Sequence, residues 1–170
     1  MAKEFIIRRA RLADKDELTD LCMRSKQSNG YEEAFMEACV EELRVRDSWI
    51  ENDDFWVAEA TDGQLIGCIR LSMALASAEG ELEVCFVDPD WQGQSIGRKL
   101  FDELFAKAKS SGLRKIGVDS DPEAEPFYAR MGFQTIGRSP SGSIPGRTLP
   151  RMELVLNNEP IAKPSGAGAK

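Results

Sequence analysis

Val84-Cys-Phe-Val-Asp-Pro-Asp-Trp-Gln-Gly-Gln-Ser-Ile-Gly-Arg-Lys-Leu100 reads as an apolar strand, a tight glycine-containing turn and the start of a helix in direct succession. The strand begins near Glu81 and stops at Asp88-Pro89, because proline has no N–H for a ladder and biases the residue before it. From Gln92 to Gly97 the chain turns into the helix, so backbone N–H groups are left free where the helix dipole favours negative charge. That arrangement is a natural cradle for a diphosphate. Gly93 and Gly97 allow close approach of a ligand to the backbone, and Arg98 and Lys99 add positive charge at the rim. The same residues also read as a glycine turn that only joins a strand to a helix, so the turn by itself does not decide.

Working outward, the helix is the strongest in the chain. Ile96, Leu100, Phe101, Leu104, Phe105 and Ala108 form one apolar face, Arg98, Lys99, Glu103, Lys107 and Lys109 the wet one, and Gly112 closes it. After it come a short strand Lys115 to Asp119, a short helix Glu123 to Met131, a strand Phe133 to Arg138, a Gly/Pro/Ser-rich loop Ser139 to Pro150, and a last strand Met152 to Leu156. Before it, Glu4 to Arg9 is a first strand, Asp14 stands at an N-cap position, and Leu18, Leu21 and Cys22 predict a helix to about Ser25. Ser28-Asn-Gly30 breaks that helix and a second resumes near Tyr31. Phe55 to Ala60 and Gln64 to Ser72 flank Asp62-Gly63, a hairpin signal. The order predicts an α/β (α+β) fold: a mixed, mainly antiparallel central sheet flanked by helices. Residues 1–156 are expected to form one domain and 157–170, ending Pro164-Ser-Gly-Ala-Gly-Ala-Lys170, a flexible tail.

Composition narrows the chemistry. The 170 residues suit one core, and no apolar run approaches the ~20 residues that cross a bilayer, so neither a membrane span nor a secretory signal is expected and the reading is cytoplasmic. There is no histidine, which removes Ser/His/Asp and Cys/His nucleophilic sites and most catalytic zinc sites. The four cysteines, Cys22, Cys39, Cys68 and Cys85, are far apart in apolar contexts, so no metal site is expected. A net charge of −7 argues against nucleic acid as a partner. It either favours cationic substrates or serves solubility alone.

Val87-Asp-Pro, Gln92, Ile96-Gly97, an amphipathic helix and then Glu125-Pro-Phe-Tyr-Ala-Arg-Met-Gly-Phe133 resemble the GNAT superfamily of acyl-CoA-dependent N-acetyltransferases, over about residues 4–156. The family signature is Gln or Arg, two residues, Gly, one residue, Gly or Ala. Gln92 and Gly97 fit it, while Ser95 stands where a glycine is usual and either closes the site, caps the helix or binds phosphate. The resemblance implies that the backbone of Gln92, Gly93, Gln94, Ser95, Ile96, Gly97 and Arg98 holds the pyrophosphate of acetyl-CoA, the acyl-donor cosubstrate. It further implies that Cys85, Phe86 and Val87 pair by backbone with the pantetheine arm and that Phe127 lies in the cofactor site. Tyr128 matches the tyrosine that protonates the departing thiolate; the alternative is an aromatic pair that only packs.

Direct attack of a primary amine on the thioester, in a ternary complex, needs no enzyme nucleophile. A lysine-like amine with a pKa of ~10.4 does need help to lose its proton, so a carboxylate is sought. Glu81 and Glu83 share one face of the strand that the resemblance assigns to coenzyme A, and each is either the general base or a solvated edge charge. Glu81, eleven residues before Gln92, has the spacing at which some family members carry a catalytic glutamate and is therefore ranked first. The acceptor, an amine of a small molecule or peptide, is expected beside Gln27, Asn29, Tyr31, Glu32 and Glu33. A competing reading is a non-catalytic acyl-CoA-binding module or sensor, and the last strands offer a homodimer contact.

Overall fold

The computed structural model describes residues 3–156. In chain order it contains β1 (Phe5–Arg9), α1 (Lys15–Gln27), α2 (Glu33–Leu43), α3 (Asp47–Asn52), β2 (Asp54–Ala60), β3 (Leu65–Ala74), β4 (Glu79–Val87), α4 (Ile96–Ser110), β5 (Lys115–Asp119), α5 (Glu125–Arg130), β6 (Gln134–Pro140) and β7 (Thr148–Val155). The strands form one sheet in the order β1-β2-β3-β4-β5-β7-β6. Every neighbouring pair is antiparallel except β4 with β5, which is parallel because α4 carries the chain back across the sheet. The fold is the mainly antiparallel sheet with flanking helices that the sequence predicts.

Alternation along the strands splits the apolar residues between two cores. Ala58, Ile66, Ile69, Leu71 and Leu82 point to one face, where Ile96, Leu100, Leu104 and Ala108 of α4 cover them. Val57, Leu65, Cys68 and Val84 point to the other, under α1, α2 and α3. Leu104 is fully buried in the first core. Leu104→Ala should therefore lower unfolding stability by about 2–5 kcal/mol, read as a lower urea midpoint with an unchanged slope; no change would mean that α4 does not dock as described.

Some local expectations change. Asp14 does precede α1, but its side chain makes no cap bond. Its carboxylate accepts two bonds from the Arg8 guanidinium at 2.9 and 3.0 Å and one from the Arg11 N–H at 2.8 Å, an ionic partner outcompeting the helix end. The segment expected as a loop from Ser139 to Pro150 is paired at both ends: Ser139 faces Leu149 and Pro140 faces Thr148, leaving seven residues, 141–147, between strands. Pro140 is tolerated because β6 is an edge strand. The one-and-a-half-turn α3 is too short for periodicity to announce it. At the β6–β7 edge Ile136 and Val155 are exposed. No helix among the described residues is long and apolar enough to cross a membrane. The tail expected from Asn157 lies outside the described residues.

Candidate active site

β4 and β5 pair only from Glu79–Lys115 to Leu82–Val118. Beyond Leu82, β4 runs on to Val87 with β3 alone as its partner, so its other backbone edge opens into a cleft of about 1420 Å³. Leu82 packs in the α4-side core and Val84 in the opposite one, although residues two apart in a regular strand share a face. The cause is a bulge: Leu71 faces Leu82 and Arg70 faces Val84, so Glu83 is the extra residue. It turns Cys85 and Val87 to the α4 side, while Glu81, next to Leu82, stays on the α1 side. The gap between β4 and β5 thus joins the two faces of the sheet.

At one end of the cleft lies the glycine turn. Buried Asp88 anchors it, accepting the Asp90 N–H at 2.8 Å and the Arg24 guanidinium of α1 at 2.8 Å. Gly93 has φ +82°, which only glycine adopts freely, and Ser95 stands at the N-cap of α4 with φ +64°. The expectation that Ser95 caps the helix fails, since in that conformation its side chain makes no cap bond. Intrahelical bonding in α4 begins with the Lys99 N–H to the Ser95 carbonyl at 3.1 Å, so the N–H groups of Ile96, Gly97 and Arg98 lie at the open helix end. Gly97 has a further role: a Cβ there would sit 3.1 Å from the Phe127 ring, so the glycine lets α5 press against α4. Gln92 lines the cleft, the Gln94 Oε1 accepts the Lys3 N–H at 3.3 Å, and Arg98 pairs loosely with Asp102 at 3.4 Å on the exposed side.

Tyr128 is buried on α5, edge-on to Phe127 and Phe133, and lines the same cleft. Burial pushes its phenol well above the ordinary tyrosine value, and the adjacent Cys85 adds to the shift. Burial likewise pushes the Cys85 thiol up to about 12, with the neighbouring Tyr128 hydroxyl working against the shift. Both groups therefore hold their protons at neutral pH.

The two candidate bases differ. Both oxygens of Glu81 accept bonds from Arg151, at 2.6 and 3.0 Å, and Arg151 also reaches Asp119 at 3.1 Å. Gly117 makes room for this bridge, since a Cβ there would run into the guanidinium. Glu83 accepts one bond, from the Ser72 hydroxyl at 2.8 Å, and its Oε1 accepts none among the described residues. Of the expected acceptor residues, Asn29 lines the cleft, whereas Gln27, Glu32 and Glu33 are exposed and are not part of its lining. Tyr31 bonds Asp121 at 2.9 Å and receives a bond from Arg147 at 2.9 Å, tying the start of α2 to the loop before β7. Sequence reading omits Trp49, Arg46 and Arg70, all in the cleft wall. The signal for Arg70 is a charge inside the apolar run Leu65-Ile-Gly-Cys-Ile-Arg-Leu71. Among the described residues no cluster of acidic and cysteine side chains is placed to hold a metal ion.

A family model described as an acetyltransferase (GNAT) domain matches residues 13–156. Among curated proteins the chain is similar to the peptidyl-lysine N-acetyltransferase YjaB of Salmonella typhimurium, with 30% identity over 156 residues, 88% of this chain and 96% of that protein. It is also similar to the amino-acid acetyltransferase of Mycobacterium tuberculosis, with 38% identity over 89 residues; these make up 51% of this chain and 49% of that one, so the match spans about half of that relative's length. Among solved structures, the PaiA N-acetyltransferase of Thermoplasma acidophilum in complex with coenzyme A shares the fold with a TM-score of 0.73 at 21% identity, over 90% of this chain and 99% of that one.

Proposed function

The chain belongs to the GNAT acetyltransferase family, and from that premise we propose that it transfers an acetyl group from acetyl-CoA to a primary amine by direct attack in a ternary complex. The observation that carries this reading is the convergence on one cleft of three things: the unpaired edge of β4, the open N-terminus of α4 and the buried phenol of Tyr128. The turn from Gln92 to Arg98 would hold the diphosphate on backbone N–H groups. Cys85, Phe86 and Val87 would add the pantetheine arm as a further strand in the place β5 vacates, with Phe127 beside it. The family resemblance to enzymes that act on peptidyl-lysine and on amino acids supports an amine acceptor of peptide or small-molecule origin.

In this mechanism the amine nitrogen bonds to the thioester carbonyl carbon and the C–S bond breaks. The nitrogen gives up a proton to a carboxylate, and the leaving sulfur takes one from Tyr128. A phenol held protonated by burial suits the second task. Glu83, with an uncommitted oxygen, suits the first better than Glu81, whose oxygens are both engaged.

Acetyl-CoA should raise the melting temperature of the protein, by an amount equivalent to about 2.7 kcal/mol at a hundredfold excess over Kd. A panel of amines should then release free coenzyme A from it. An unshifted melt in millimolar acetyl-CoA would sink the reading, and stabilisation without release for any amine would leave a binding module in its place.

A further inference from the structure

Arg70 lies in the middle of β3, where Ile69 and Leu71 both enter the α4-side core, so its own side chain points to the opposite face. It is 7% exposed and lines the cleft. Its Nη1 donates to Asp53 Oδ2 at 2.6 Å and its guanidinium stacks on the Trp49 indole at 3.8 Å. Its Nε is buried with no hydrogen-bond partner among the described residues. Nε is closed off from the cleft, so the donor left for a ligand there is Nη2, which has no hydrogen-bond partner among the described residues and is not sealed from solvent. Trp49 carries a second guanidinium, that of Arg46, at 5.0 Å, and both residues share the cleft wall with Arg70. Two arginines converging on one indole are unexpected in the wall of a protein with a net charge of −7.

Across from Arg70 is Val84, and beside Val84 is the bulged Glu83. Arg70 and Glu83 both line the cleft, the first with Nη2 and the second with Oε1 free of hydrogen-bond partners among the described residues. We propose that this is the acceptor subsite and that the acceptor is a compact amino carboxylate, a free α-amino acid or close analogue. Its carboxylate accepts hydrogen bonds from Arg70, with Arg46 at the rim, and its ammonium group lies against Glu83. Arginine is the residue for this task, because its planar fork matches a carboxylate and its charge does not titrate. A lysine side chain within a peptide presents no carboxylate close to its amine and gives Arg70 no second partner beside Asp53. The proposal rests on the acyl-transfer reading, which supplies the need for an amine.

The test separates the two. Binding of the common L-amino acids, each paired with its carboxamide, is measured by calorimetry on the full chain saturated with coenzyme A, where no turnover occurs. At least one amino acid should bind, and its carboxamide should bind roughly 10- to 100-fold more weakly, the weight of a charge-assisted pair. Arg70→Gln should erase that ratio with coenzyme A affinity retained, and Arg70→Lys should restore part of it. A merely structural arginine would weaken both ligands alike and leave the ratio intact. If no amino acid binds, or acids and carboxamides bind equally, the proposal is overturned, and the wild-type ratio decides even if the variants fail to fold. Coenzyme A release from acetyl-CoA with the same panel then judges the transfer reading: selective binding without release keeps the subsite and sinks the transfer, while equal release from acids and carboxamides does the reverse.

Discussion

Tyr128→Phe should lower kcat by about 10²–10⁴ while coenzyme A affinity stays close to that of the unmodified protein. The substitution removes one oxygen and keeps the ring, so the edge-on contacts with Phe127 and Phe133 survive and the core between α4 and α5 stays filled. What is lost is a proton positioned in the cleft. Expulsion of a thiolate is penalised unless a nearby donor neutralises the charge that develops on sulfur. A phenol held protonated by burial, next to Cys85, sits ready to do so. The lost barrier lowering corresponds to about 3–5 kcal/mol. Stopped-flow release of coenzyme A at saturating acetyl-CoA reads the chemical step, and equilibrium binding reads affinity. Unchanged turnover would mean that the proton comes from water or another group, while loss of binding and folding together would make Tyr128 a packing residue only.

The residues that make this prediction possible are unevenly legible in the sequence. The run from Val84 to Leu100 states its structure locally: an apolar strand ended by Asp88-Pro89, glycines in the turn, and an apolar stripe with 3.6-residue spacing. Each signal lies within a few residues of its effect, so the strand, turn and helix follow directly. The bulge at Glu83 leaves no such trace, because it is set by how β3 and β4 settle around two cores and not by residue type. Period-two reading puts Glu81 and Glu83 on one face, and the alternation then breaks at the next residue, which is what turns Cys85 toward Tyr128. Gly97 is legible as a glycine needed near the backbone, but the ring that needs the space, Phe127, is thirty positions away in the chain and reaches it only through the fold. Arg70 and Trp49 meet for the same reason, and Glu81 meets Arg151 across β5. The acceptor side is therefore the part least visible in the sequence, since it is assembled wholly from long-range pairs.

That assembly leads to the second large effect: Glu83→Gln should cost about 10²–10⁴ in kcat/KM at neutral pH, with a deficit that shrinks as pH rises. A lysine-like amine with a pKa of ~10.4 is free of its proton in only roughly one molecule in 2,500 at pH 7, and in roughly one in eleven at pH 9.4. An enzyme that lacks its base depends on that free fraction and gains from alkali, whereas the unmodified enzyme gains less because Glu83 performs the deprotonation. Glutamine keeps an oxygen to accept the Ser72 hydroxyl, so the bulge and the cleft wall should persist. Glu81→Gln is the control. It weakens the bridge to Arg151, which at its partly exposed position is worth about 1 kcal/mol or less, and it should leave the pH profile in place. If the deficit of Glu83→Gln were flat across pH, the residue would act in binding and not in proton transfer. If Glu81→Gln instead showed the deficit that alkali repairs, the base would be the carboxylate that Arg151 holds, and the bridge would have to open during turnover.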